Sequence, residues 1–361
     1  MAMISGSNGG ISKNFSKFDK MSLFSSDAKK YAPIISYFIN NECQLNCRHC
    51  YVGYKHGNDA LSVQEWERVF HEFIYMGSLI FGLAGKEPLI HWPKTKRILN
   101  YLKLKKNDNN RIKFGLVSNG LLLGEGIIDD LLMIQPDYFD ISLDGDEIAH
   151  EKIRGKGTYK KLIEKIKLIP ANSKLIENTF IAFTLNSINV DSLKSIICTS
   201  YDLNIKNFVI SPYLTKSKMR DELYFESKAF AAQMRQLVDI NLIDFSKFVG
   251  LNIFIKTDCF EENPVVDQLI CKNIINLDKL FIDEYGTLFN EYSYGSNSLY
   301  FNYPVINDIF TQTLRISHDG YVSNCFDMFY ENFTERAIGN IRKDGLSKIS
   351  ENIKYYNRVL N

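Results

Sequence analysis

Short β-rich runs and longer amphipathic stretches alternate along most of this chain. The runs Ile34–Asn40, Ser78–Leu83, Ile112–Val117, Tyr138–Leu143, Thr179–Leu185 and Asn207–Ser211 are rich in β-branched and aromatic residues. Between and after them, near residues 62–76, 93–106, 125–134, 158–168, 189–202 and 224–243, apolar residues recur at helical spacing. The first helix is the best marked. Ser62 and Glu65 make a capping box, Trp66, Val69, Phe70 and Phe73 share one face, and Gly77 ends it. About six strand–helix units predict an α/β fold: a parallel sheet with crossover helices, curled into a partial (β/α)6 TIM-like barrel. Ligands in such a fold belong at the C-terminal ends of the strands.

The rhythm changes after about residue 245. Leu280–Ile282 and Leu288–Tyr292 flank Glu284-Tyr285-Gly286, and Thr313–Ile316 and Tyr321–Asn324 flank Asp319-Gly320. These patterns predict two β-hairpins, followed by a helix at about 345–357. The expected division is a partly flexible lead-in over residues 1–30, a core over 31–245 and a small α+β C-terminal domain over 246–361.

Composition narrows the picture without deciding it. A formal net charge of +1 points to neither nucleic acid nor an anionic membrane as partner. The basic stretch from Lys94 to Lys113 reads as a solvated helix face. No apolar run is long enough to span a bilayer, and the small, polar N-terminus has no secretory-signal pattern. Seven cysteines, three of them clustered, suit a reducing cytoplasm and metal ligation better than a disulfide framework.

Those three, Cys43, Cys47 and Cys50, stand at C-x3-C-x2-C spacing directly after the first strand. Three thiolates in a tight loop can take three corners of a [4Fe-4S] cubane and leave the fourth iron open. Zinc is the competing reading, and it needs a fourth ligand. His49 lies between two of the cysteines, where geometry would strain it.

Further polar segments follow at successive strand ends. Gly85-Lys86-Glu87-Pro88-Leu89 follows the second strand, Ser118-Asn119-Gly120 the third, and Ser142-Leu143-Asp144-Gly145 the fourth, with His150 and Arg154-Gly155 beyond it. Thr184-Leu185-Asn186, Asn189 and Ser211-Pro212-Tyr213 close the fifth and sixth. Taken alone, each suits an ordinary turn. A Gly-led turn exposes backbone acceptors, Glu87 offers a carboxylate suited to an ammonium group, and Arg154 offers a planar fork suited to a carboxylate.

In this order the cysteine loop and the strand-end segments resemble the radical S-adenosylmethionine (SAM) superfamily. Within it they resemble the branch with a C-terminal SPASM or twitch domain. The resemblance covers residues 34–213 well and the C-terminal part weakly. It implies a [4Fe-4S] cluster on Cys43, Cys47 and Cys50, with SAM bound at the open iron. One electron then cleaves SAM to methionine and a 5′-deoxyadenosyl radical that abstracts a substrate hydrogen. It also implies an electron donor such as flavodoxin or ferredoxin. By resemblance His49 lies beside the adenine, and Gly85, Lys86, Glu87 and Pro88 form the segment binding the SAM amino group. Ser118 and Asn119 lie near the ribose or methionine. Ser142, Asp144 and Arg154 contact SAM, and Asn186 and Tyr213 surround the adenosyl group. Lys86 stands where the family has a second glycine, and His150 reads as a structural hydrogen-bonding residue.

The C-terminal pattern departs from the SPASM type. Gly320 and Cys325 match half of its first element, but the later cysteine-rich stretch is absent. Cys259, Cys271 and Cys325 remain as ligands of an auxiliary iron–sulfur cluster, as buried thiols or as hydrogen donors. A degenerate domain without a full cluster set is the expectation, and Cys198 reads as a core residue. The branch modifies peptides or proteins by crosslinking, epimerisation or oxidation, which makes a peptide the leading substrate. A small molecule such as a sugar, aminoglycoside, nucleoside or cofactor precursor is the second reading. A non-enzymatic iron–sulfur or zinc module is the third.

Overall fold

The protein is described from a computed structural model, over residues 34–50, 52, 59–213, 222–224, 232–235, 244–256, 280–282, 288–303, 313–324 and 333–359. The lead-in, Cys259, Cys271, Cys325, the turn Glu284-Tyr285-Gly286 and most of the 224–243 stretch lie outside the described residues.

All six expected strands form. They are β1 (Ile34–Tyr37), β2 (Ile80–Leu83), β3 (Lys113–Ser118), β4 (Tyr138–Ser142), β5 (Thr179–Leu185) and β6 (Asn207–Pro212). Each pairs in parallel with the next in chain order. A seventh parallel strand, β7 (Asn252–Ile255), adds to β6. The later strands extend this sheet at both sides. On one side β10 (Asn297–Tyr303) lies parallel to β7 and carries β9 (Leu288–Tyr294) and β8 (Leu280–Ile282) antiparallel. On the other, β11 (Thr313–Ile316) lies parallel to β1, followed by β12 (Tyr321–Asn324) and β13 (Gly339–Asn340). Among the described residues the result is one open 13-stranded sheet with β13 and β8 at its edges.

Period-2 alternation gives the sheet two unlike faces. Ile35 and Tyr37, Phe81 and Leu83, Phe114 and Leu116, Phe139 and Ile141, and Ile181 and Phe183 are buried on the outer face. There they join one core with Trp66 and Phe70 of α1 (Val63–Tyr75), Ile98 and Leu102 of α2 (Trp92–Asp108) and Leu131 of α3 (Glu125–Ile134). Two longer helices, α4 (Glu147–Arg154) and α5 (Thr158–Ile166), and a single helical turn at Lys174–Glu177 follow β4, and α6 (Leu193–Asp202) follows β5. Among the described residues no helix is long and apolar enough to cross a membrane.

The capping box of α1 forms as its sequence predicts. Glu65 N–H donates to Ser62 Oγ (3.2 Å) and Ser62 N–H donates to Glu65 Oε2 (2.7 Å). Glu65 has a second role. Arg342, in the last helix α7 (Ile341–Val359, interrupted at Gly345), reaches its carboxylate at 2.6 Å and the Asp59 carboxylate at 2.7 Å. The hydrogen bond from Arg342 holds the Glu65 carboxyl far below its usual 4.5, at about 2. A depressed carboxyl contributes stability above its unfolded-state pKa and loses it as pH falls through the folded one. Arg342→Ala should therefore lower Tm at pH 7 by roughly 1–3 °C, as expected of a partly exposed pair. In thermal melts the gap to wild type should close between pH 4.5 and about 2. A gap that stays constant over that range would rule the linkage out.

Candidate active site

The cysteine loop leaves the end of β1 and is tied on both flanks. On one side, Glu42 N–H donates to Asn40 Oδ1 (2.8 Å), Asn40 Nδ2 donates to Glu87 O (3.0 Å), and Glu87 N–H donates to Glu42 O (2.9 Å). On the other, Arg48 N–H donates to Ile153 O of α4 (3.0 Å), and Cys50 N–H closes a turn onto Cys47 O (3.0 Å). All three cysteines are half-buried.

Two buried carboxylates organise the strand ends around this loop. The Glu87 side chain, 0% exposed, accepts hydrogen bonds from Leu89 N–H, Ser118 Oγ and Asn119 N–H, each at 2.9 Å. Asn119 passes the tie onward, because its Oδ1 accepts from Gln44 Nε2 (2.9 Å) and its Nδ2 lies 3.8 Å from Cys43 Sγ. Glu87 is thus a latch between β3 and the cysteine loop, which differs from the expectation of a carboxylate open to an ammonium group. Burial pushes its carboxyl up, against the pull of those hydrogen bonds.

Asp144, also 0% exposed, does the same beyond β4. It accepts from Thr184 N–H of β5 (2.7 Å), pairs with Arg154 Nε (2.5 Å) and lies 3.2 Å from His49 Nε2. The remaining guanidinium nitrogens of Arg154 face Cys47 Sγ (3.9 Å) and His49 (3.4 Å). The fork expected to meet a ligand carboxylate is therefore turned to the cysteine loop, with its side chain 10% exposed. Burial works to raise the Asp144 carboxyl, but Arg154 and His49 outweigh it and hold it below the usual range. Burial pushes His150 down to about 4, so the neutral ring accepts Asp144 N–H at Nδ1 (3.1 Å), a structural role.

The other expected residues gather near these ties. Gly85 (φ +82°) and Lys86 (φ +53°) make two successive left-handed residues. A Cβ on Gly85 would lie 2.2 Å from the Phe38 ring, so glycine is required there, whereas Lys86 takes its conformation at a cost of about 1–2 kcal/mol. Pro88 is buried and opens the next turn. Asn186 caps its own turn through Thr184 O and Ile188 N–H, and Tyr213 N–H bonds Leu185 O. Cys198 is exposed on α6, a correction to its reading as a core residue: the helix turns Ile196 and Ile197 inward instead. Gln44, which sequence reasoning passed over, is identifiable only through its partner Asn119.

The donor set fits an iron–sulfur cluster. Leu45 N–H (3.4 Å) and Asn119 Nδ2 point at Cys43 Sγ and the Arg154 guanidinium at Cys47 Sγ, donors suited to the sulfurs of a ligated cluster. Burial first, then the neighbouring acidic groups and thiols, raises both thiols, Cys47 to about 11 despite Arg154, so metal must displace their protons on binding. Among the described residues no three His, Cys, Asp or Glu side chains are gathered as a single ion requires.

The profile of the Radical SAM superfamily matches residues 37–197. The Fe-coproporphyrin III synthase of Methanosarcina barkeri is 24% identical over 176 residues, 48% of this chain and 41% of that protein. The match therefore spans well under half of the relative's length. Among solved structures, Streptococcus suis SuiB bound to the precursor peptide SuiA superposes with a TM-score of 0.66 at 14% identity, over 94% of this chain and 68% of SuiB. The enzyme anSMEcpe with bound S-adenosylmethionine and a Kp18Cys peptide gives 0.61 at 15% identity, over 90% of this chain and 83% of that one. These likenesses show the fold.

The Glu87 latch can be tested directly. Glu87→Gln keeps one acceptor oxygen for three buried donors and adds an N–H facing them. In denaturant unfolding it should cost about 1.5–3 kcal/mol, with Glu87→Asp, which shortens the reach, intermediate. Unchanged midpoints in both would refute the latch.

Proposed function

We propose, from the premise that residues 37–197 make this chain a member of the radical SAM superfamily, that it is an enzyme holding a [4Fe-4S] cluster on Cys43, Cys47 and Cys50, with SAM at the open iron. The observation that carries this reading is the three-cysteine loop fixed between the Glu87 and Asp144 networks at the C-terminal ends of the strands. When bound and reduced, the cluster supplies the electron that cleaves SAM and yields the radical that takes a substrate hydrogen. The chain's own residues position and shield. Glu87 and Asn119 hold the Cys43 side of the loop, and Asp144 and Arg154 hold the Cys47 side. The Ser142 hydroxyl, on the inner face at the end of β4, makes no hydrogen bond among the described residues and would offer one to a polar atom of SAM. Gly85 and Lys86 turn the backbone beyond β2, His49 would lie beside the adenine, and Asn186 and Tyr213 would shape the strand ends around the adenosyl group. Residues 31–245 then form the catalytic core and 246–361 its substrate-side extension.

A peptide or protein segment is the substrate this reading favours. The sheet is open, and β8 at its edge can take an extended chain by strand addition. Two of the superposed structures hold peptides. A small molecule is the second reading, favoured by the likeness to a synthase of Fe-coproporphyrin III.

Anaerobically reconstituted protein should carry about four irons per chain, the content of one [4Fe-4S] centre. With dithionite and SAM it should form 5′-deoxyadenosine, and Cys47→Ala should lose both properties. A Cys47→Ala protein that still forms the product would sink the assignment. About eight irons, falling to four in Cys259, Cys271 or Cys325 variants, would instead establish an auxiliary cluster.

A further inference from the structure

The inner face of the sheet carries a carboxylate that none of these networks uses. Phe139 and Ile141 of β4 point into the outer core, so Tyr138, Asp140 and Ser142 share the opposite face. Tyr138 forms the floor. Its ring and hydroxyl lie across Gly115 and Gly82, where a Cβ would come within 2.6 Å of them. Asp140 stands one inward position higher, about 7 Å along the strand from Ser142, and part of its surface is open. Among the described residues its carboxylate makes no hydrogen bond and no ion pair. Lys256, exposed just beyond β7, acts on it through charge alone.

An aromatic wall adjoins this carboxylate. Phe180 of β5 is the register partner of Asp140. Its ring lies 5.9 Å from Phe254 of β7, which stacks on Tyr300 of β10 at 4.6 Å and 13°. All three are on the inner face, since their strand neighbours Ile181, Ile253 and Leu299 belong to the outer core.

We propose that Asp140 is the recognition group for an ammonium or guanidinium on the substrate, whose aliphatic stem lies along Phe180, Phe254 and Tyr300. The proposal rests on the reading of this face as the substrate side of the site. A half-buried carboxylate without a donor among the described residues weakens the fold, and such groups concentrate where a ligand supplies the missing partner. Burial pushes the Asp140 carboxyl up to about 6, so Lys256 does not compensate for the missing donors. A charged donor makes the strongest hydrogen bond to it. Stacked aromatic faces attract cations and cover methylene stems. A hydroxyl or amide could meet only the first of these features.

The test uses cluster-loaded protein and n-butylammonium chloride as probe, with sodium chloride and n-butanol as controls, read by thermal unfolding. Butylammonium should raise the wild-type Tm above both controls. The rise should vanish in the isosteric Asp140→Asn and grow in Lys256→Gln, where the competing exposed charge is gone. An equal rise in wild type and Asp140→Asn, or no rise in both wild type and Lys256→Gln, would overturn the proposal. Because this readout needs no turnover, it decides the role of Asp140 whichever way the 5′-deoxyadenosine assay falls.

Discussion

The geometry of the cysteine loop depends on the buried ion pair between Asp144 and Arg154. Asp144 is fully enclosed and joins the end of β4 to β5 through Thr184 N–H while it holds the guanidinium that faces Cys47. Removing one partner of such a pair leaves an uncompensated charge and costs roughly 3–5 kcal/mol. Its value here is positional rather than energetic, since a well-packed apolar pair of similar volume could stabilise the fold as well. Glu87 is the counterpart on the other flank, latching β3 and, through Asn119, Cys43. Between these two carboxylates the loop is tied on both flanks, at Cys43 through Asn119 and at Cys47 through Arg154.

Most of the fold was legible in the sequence because the six core strands sit between amphipathic helices, the first of them marked by a complete capping box. Thr179–Leu185 and the Ser62–Glu65 box appear where the pattern places them. Helix α4 was missed because eight residues are too few to show a period, although Asp146 caps it through Ala149 N–H (3.0 Å). The course of the C-terminal strands was legible only in part. Both hairpins form as antiparallel pairs, but nothing local says that β10 will join β7 or that β11 will join β1. Those parallel pairings link residues far apart in sequence.

At the site, residue types and spacing identified the right positions, but not which way their side chains turn. Glu87 and Arg154 carry the charges that a zwitterionic ligand would attract, and the structure engages both within the protein. That choice follows from burial: a charge at a closed strand end must find its partners there. Asp140 shows the converse. Its alternation in Tyr138-Phe139-Asp140-Ile141-Ser142 places it inward, yet its lack of a donor among the described residues emerges only from the positions of its neighbours there. Lys86 and Asp140 are thus two places where the sequence departs from local stability, and both lie where the reading puts ligands.

The claim on which everything else rests is that SAM binds the one iron left open by Cys43, Cys47 and Cys50. Electron–nuclear double resonance on the reduced, cluster-loaded protein measures this directly, using SAM labelled with 15N at its amino group and 17O at its carboxylate. The account predicts hyperfine coupling from both labels, lost when unlabelled SAM replaces them. A reduced [4Fe-4S] signal that shows no coupling to either label at saturating SAM would contradict it.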